Sequence, residues 1–226
     1  MPLRCPPPGP AALGGLPRVG VGRRTLWRVF QRRRGHPWFF ASAPPGDPRA
    51  GGRFDLPAPD GACYLATSKT AAALEALRDF GEGLLPEAAL RRRAAAWVVA
   101  PSTAPAAVRL TAAAARGAGV TAALWAGEDR ACTQAWAANL HRAGWRAAYH
   151  GVAHDPAGRL RSVSLFDRAG AHPPYDDEAW RHEVEPLDGP DVRAVLRRYG
   201  ITVTRSDPEL PFIALEDAGL PEGPTP

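Results

Sequence analysis

An arginine, a tyrosine and a glutamate stand at equal intervals in the stretch from Gly51 to Phe80: Arg53, Tyr64 and Glu75 follow one another eleven residues apart. These residue types suit one kind of chemistry. A guanidinium is a fixed cationic fork that grips a phosphate or pyrophosphate through two hydrogen bonds, where a lysine offers only a point charge. A carboxylate beside a sugar ring stabilises the positive charge that grows as a glycosidic bond breaks through an oxocarbenium-like transition state. A tyrosine stacks on a planar leaving group or hydrogen-bonds a ribose hydroxyl. Gly51 and Gly52 precede the arginine and would let the backbone approach a ligand closely. Such a bond cleavage requires no metal.

Taken singly, each residue has an ordinary explanation. Arg53 suits a surface turn, Tyr64 a core strand with its hydroxyl at the edge, and Glu75 a solvated helix face. The joint spacing is what raises them together, so the elements that carry them matter. Ala62–Ala66 (ACYLA) is a short apolar strand. Ser68 is placed as the N-cap of a helix over Lys69–Phe80, with Ala72, Leu74, Leu77 and Phe80 at helical spacing and Gly81 and Gly83 as its stop. Arg53 then belongs to the turn before the strand, Tyr64 to the strand, and Glu75 to the second turn of the helix.

Around this unit, Thr25–Phe30 (TLWRVF) alternates like a strand, with Arg28 in its middle. Arg28 is read either as a second phosphate contact or as a solvent-facing side chain. His36–Ser42 is a strand that Pro37 confines to an edge or a start. Pro86–Arg93 reads as a short helix, Ala94–Ala100 as a buried strand, and Val108–Leu110 as a short one. Thr111 onward is helix-compatible until Gly117 and Gly119. Arg130–Ala143 is a helix with Cys132, Trp136, Leu140 and Ala143 on one face and Gly144 at its end. Ala147–Val152 and Ser162–Phe166 are strands joined through an Asp-Pro-Ala-Gly turn. Pro190–Tyr199 is a helix, and Ile201–Thr204 a last strand. Strands without regular βαβ alternation point to an α+β fold, a compact mixed sheet with a few helices. Neither a GxGxxG turn nor a GxxxxGK[ST] loop is present.

Residues 1–22 are rich in Pro and Gly and read as a flexible leader, residues 23–216 as the folded domain, and 217–226 as a flexible tail. With 45% apolar and 23% charged residues, the composition is that of a globular domain. No run reaches the ~18 to 20 apolar residues of a membrane span. Three cysteines, Cys5, Cys63 and Cys132, show no metal-like spacing and suggest a reducing, cytoplasmic setting. The net charge of +5 gathers towards the N-terminus, from Arg18 to Arg34. Trp27 and Phe30 are the aromatic residues near it and fit a strand, so direct nucleic-acid binding ranks last among the functions considered.

The order of these segments resembles the RES domain family, named for Arg, Glu and Ser. Arg53-Phe54, Tyr64-Leu65-Ala66 and Leu74-Glu75 fall on its pattern of turn, strand and helix. Leu26-Trp27-Arg28-Val29 is similar to its opening strand. Thr133-Gln134, Trp136-Ala137 and Leu140-His141 are similar to its central helix. Gly144-Trp145, His154-Asp155-Pro156 and Leu165-Phe166-Asp167-Arg168 are similar to the strand pair after it. The resemblance covers roughly residues 25–205.

The resemblance implies an ADP-ribosyltransferase-like fold and a toxin of a toxin–antitoxin pair, with an Xre-like antitoxin as partner. It implies cleavage of the nicotinamide–ribose bond of NAD by water or inorganic phosphate. Transfer of ADP-ribose to a protein, or a member that only binds a nucleotide or its antitoxin, are the alternatives. Glu75, Arg53 and Tyr64 are then the catalytic set. Arg53, Tyr64, Arg28, Gly52 and His150 are the NAD contacts, with no resident cofactor or metal. In one respect the chain departs from the pattern. The family serine belongs just before the His-Asp-Pro turn, where this chain has Gly151 or Val152, with His150 as the nearest polar side chain. Ser162 and Ser164 lie on the next strand, and Ser164 is the one read as able to supply a hydroxyl from across the hairpin. His141 and His154 are read as structural or surface residues.

Overall fold

A computed structural model describes residues 2–77, 83–172 and 180–205 of the chain. Its centre is an eight-stranded mixed sheet in the order β1-β7-β8-β9-β4-β2-β6-β11. The strands are β1 (Arg18–Val19), β2 (Thr25–Gln31), β4 (Asp60–Ala66), β6 (Arg93–Val99), β7 (Ala107–Arg109), β8 (Ala147–Gly151), β9 (Arg161–Arg168) and β11 (Arg181–Pro186). Its ladders are antiparallel except for β7 on β8, which run parallel. Two small sheets join β3 (Phe39–Phe40) with β10 (Gly170–Ala171) and β5 (Leu84–Pro86) with β12 (Thr202–Thr204).

Period-two alternation explains how the sheet is buried on both faces. Ala62, Val108, Ala148 and Phe166 face a core completed by α5 (Arg130–Arg142), through Trp136, Ala137 and Leu140. Cys63, Leu65, Ala147, Val163 and Leu165 face the other way, against Trp38, Phe40 and Trp180. Small side chains at Ala62, Ala147 and Ala148 leave room for these large neighbours. The expected segments over β2, β4, β6, β8 and β9 are strands, and α5 is capped by the Asp129 carboxylate, which accepts from the Cys132 amide at 2.9 Å. β11 carries alternating charges and an exposed Val184 on the sheet's edge. It therefore lacks the apolar period that marks the buried strands.

Residues 2–22 differ from a flexible leader. Pro10–Leu13 form α1, β1 pairs with β7, and Leu13, Leu16 and Val21 are buried. The indole N–H groups of Trp136 and Trp145 donate to the carbonyls of Arg4 and Leu13, at 2.8 and 3.0 Å. Pro-rich sequence conceals this docking because it has no helical or strand period of its own. The helix after Ser68 is α2 (Lys69–Ala76) with Leu77 at its C-cap, and the Ser68 hydroxyl accepts from the Ala71 amide. Phe80, Gly81 and the tail from 217 to 226 lie outside the described residues, as does the stretch from 206 to the expected domain end at 216. Among the described residues, no helix is long and apolar enough to cross a membrane.

Two features of the sheet shape the site. β2 runs in full register beside β6, from Thr25↔Val99 to Gln31↔Arg93. Against β4 it shares a single registered pair, Trp27↔Ala66. The sheet therefore opens between β2 and β4, and α2 packs on both strands over the opening. α4 (Ala123–Ala126) packs against β8 and α5.

Candidate active site

The opening is a cleft of about 190 Å³ whose walls include Trp27, Arg28, Gly52, Arg53, Tyr64, Glu75, Trp125, His150 and Ser162. All six residues singled out from the sequence, namely Arg28, Gly52, Arg53, Tyr64, Glu75 and His150, line this one cavity. Four separate elements and a turn bring them there: β2, β4, α2 and β8 with the 51–55 loop.

The arginine turn is fixed from within. Tyr64 donates its hydroxyl proton to Asp55 Oδ1 at 2.7 Å and accepts from the Phe54 amide at 2.9 Å. Asp55 Oδ2 accepts from the Gly52 amide at 2.7 Å, and Gln134 Nε2 donates to the Gly52 carbonyl at 3.0 Å. Asp55 and Gln134 are buried polar side chains, and Gln134 Nε2 also donates to the Pro48 carbonyl at 3.0 Å. A methyl at Gly52 would stand 2.2 Å from the tyrosine hydroxyl. The close approach that Gly52 permits is to Tyr64 and Asp55. Arg53 itself is buried, with Nε donating to the Gly127 carbonyl at 2.8 Å, so the turn is clipped to the end of α4.

Glu75 reaches down from α2 and accepts from the Ala153 amide at 3.1 Å. That bond holds its carboxylate against the loop that leaves β8. Arg28 is buried and donates to the Phe39 carbonyl at 2.9 Å and to Cys63 Sγ. Those bonds turn its guanidinium to the face of the sheet that carries Cys63, opposite to Tyr64.

His150 is stacked on the Phe54 ring, with centroids 4.3 Å apart and an interplanar angle of 22°. Its Nδ1 lies 2.8 Å from the Gly151 carbonyl and its Nε2 lies 2.9 Å from Ser164 Oγ. These partners assign a neutral ring with the proton on Nδ1 and the serine hydroxyl donating to Nε2. Burial pushes its pKa down to about 4. Ser164 is therefore engaged with His150 rather than placed on the cleft wall, and Ser162 is the serine that lines the cleft. Val152 packs among Ala66, Ala71, Ala72 and Leu74. Gly151 lies under Trp125, whose Nε1 would be 2.3 Å from an added methyl.

Asp55 and Trp125 are the residues around the cleft that sequence reasoning missed, and of the two serines on β9 it favoured Ser164 over Ser162, which lines the cleft. Asp55 had a local signal, since an Asp three residues after a glycine readily closes a turn onto its amide. Trp125 had none, because the α4 turn is too short to show a period. Cys132 is buried on α5, and His141 is half-buried near its end. His141 Nδ1 lies 3.6 Å from Asp60 Oδ2. The fold also brings Cys5, Cys132 and Asp129 together, with ligand-type atoms within 4.8 Å of one another. Burial and the adjoining Cys5 push the Cys132 thiol up to about 12, so it is a protonated thiol.

An α+β domain whose sheet parts over a cleft walled by arginine, tyrosine and glutamate is thus the class of protein at hand. The RES domain family matches residues 25–187, and the chain belongs to that family. The fold is similar to the solved structure described as the crystal structure of the M. tuberculosis MbcT-MbcA toxin-antitoxin complex. The TM-score is 0.54 and the identity 19%, over 78% of this chain and 88% of that one. No curated protein matches the chain.

Proposed function

We propose that the cleft binds NAD and cleaves its nicotinamide–ribose bond, and that the protein is the toxin of a toxin–antitoxin pair. The observation that carries this reading is the convergence of Arg53, Tyr64 and Glu75 on one cleft from a turn, a strand and a helix. In the reaction, the bond between ribose C1′ and the pyridinium nitrogen breaks. Nicotinamide leaves neutral with the electron pair. The Glu75 carboxylate stabilises the resulting oxocarbenium charge. An oxygen of water or inorganic phosphate then bonds to C1′ and releases its proton to solvent. Arg53, fixed at Nε, gives the cleft a positive wall for the pyrophosphate, whereas the Arg28 guanidinium is engaged by Phe39 and Cys63. The Phe54–His150 stack and the Trp27 and Trp125 rings give it flat apolar surface for the pyridine ring. His150 stays neutral and acts as packing, so the reading assigns it no proton transfer.

The toxin role is supported by family membership and by the likeness to a toxin from a toxin–antitoxin complex. An Xre-like antitoxin that covers the cleft is the partner this reading expects, in a cytoplasmic setting. The test is to incubate purified protein with NAD, with and without phosphate, and to assay free nicotinamide. Release well above a Glu75→Ala control supports the reading, and phosphate-dependent release identifies phosphorolysis. Release no greater than that control overturns it.

A further inference from the structure

We propose that Ser162 is a ligand-contacting residue of the cleft, its hydroxyl reserved for a polar group of the bound dinucleotide. The inference rests on the NAD reading of the cleft given above. Ser162 and Ser164 point to the same face of β9, since side chains alternate along a strand. In register, Ser162 stands between Ala66 of β4 and His150 of β8, while Ser164 stands beside Tyr64 and Ala148. Both serines therefore belong to the face that carries Tyr64 and His150.

Their hydroxyls have different fates. Ser164 Oγ is taken by His150 Nε2. Ser162 is 1% exposed and lines the cleft, and its Oγ has no hydrogen-bond partner among the described residues. A buried hydroxyl without a partner is costly, so a polar group that enters the cleft and pairs with it gains that cost back. The neighbouring polar groups do not supply one. Both His150 nitrogens are engaged, by Gly151 and Ser164. The Tyr64 hydroxyl is engaged by Asp55 and Phe54. The shared chemistry is a donor–acceptor group at the nicotinamide end, either the carboxamide or a ribose hydroxyl.

The experiment compares wild type, Ser162→Ala and Ser164→Ala in the full chain. Melting temperatures are read alone and with nicotinamide, ADP-ribose or NAD, and KM and kcat are measured by nicotinamide release. Ser162→Ala is expected to melt at or above the wild-type temperature, because it removes an unpartnered buried group. It is also expected to raise KM about tenfold, as loss of one hydrogen bond to the ligand would, and to shrink the ligand-induced shift. Loss of the shift with nicotinamide assigns the carboxamide, and loss with ADP-ribose assigns a ribose hydroxyl. Ser164→Ala is expected to melt lower, since it strips His150 of a bond. Ser162→Cys, which keeps a weak donor of similar size, is expected to fall between wild type and Ser162→Ala, and it stands in if the alanine variant does not fold. A Ser162→Ala protein that melts lower yet keeps the wild-type ligand shift and KM overturns the inference alone. A wild-type protein with neither ligand shift nor nicotinamide release overturns the NAD reading itself.

Discussion

Glu75 of α2 accepts a hydrogen bond from the backbone amide of Ala153 at 3.1 Å, which fixes the carboxylate over the mouth of β8. Charge and position can be separated there. Glu75→Gln keeps a side-chain oxygen able to accept from Ala153 but removes the negative charge. It is expected to melt within about 1 kcal/mol of wild type, a neutral acceptor replacing a charged one. Nicotinamide release should fall about 100-fold or more, as when one electrostatic stabiliser of a transition state is lost. Paired melting curves and nicotinamide assays check this, and unchanged release would remove Glu75 from the chemistry.

Gly52 lies against the Tyr64 hydroxyl, with room for no methyl. Gly52→Ala should push apart the Tyr64–Asp55 pair and cost about 1–3 kcal/mol of stability, the range for overpacking. Tyr64→Phe should cost about as much, because it strips buried Asp55 and the Phe54 amide of their shared partner. Urea titrations with constant m-values provide the measurement. In both variants the Arg53 turn shifts, so release should fall as well.

The buried, neutral His150 gives the fold a pH dependence. Its pKa is pushed from 6.5 to about 4 by burial. Between these two values the unfolded chain takes up a proton that the folded chain refuses. Stability therefore falls as pH drops from 6.5 towards 4 and is insensitive to this group above 6.5. At about 1.4 kcal/mol per pKa unit the effect is roughly 3 kcal/mol. Subtracting the pH–stability profile of His150→Gln from that of wild type isolates the term. A difference that stays flat from pH 7 to pH 4 would show that the ring is not held neutral.

Removing residues 2–16 should destabilise the domain rather than merely shorten it. Leu13 and Leu16 are buried in the core beneath α5, and Trp136 and Trp145 lose their carbonyl acceptors. Two leucines at about 1.5–3 kcal/mol each set the minimum at about 3 kcal/mol. Chemical denaturation of the shortened and full chains measures it, and equal midpoints would mean that the segment is dispensable.

Much of this protein was legible in its sequence because the relevant forces are local. The alternation in Thr25–Phe30 and the apolar runs at Ala62–Ala66 and Ala94–Ala100 mark strands. Ser68 marks a helix start, and Trp136 with Leu140 marks a buried helix face. The spacing of Arg53, Tyr64 and Glu75 picked out three side chains that line one cleft. What the tertiary structure decided was which side chains find each other across long separations. Gly52 proved to make room for Tyr64, Arg53 to be held by the Gly127 carbonyl, and Ser164 to serve His150 while Ser162 reached the cleft. Residues 2–22, without a period of their own, took their order from the indoles of α5 and the turn beyond it. Hydrophobic period and capping act within a few residues and so are written in the sequence. Hydrogen-bond partners of buried polar groups are set by which strands become neighbours, and only the folded sheet specifies that.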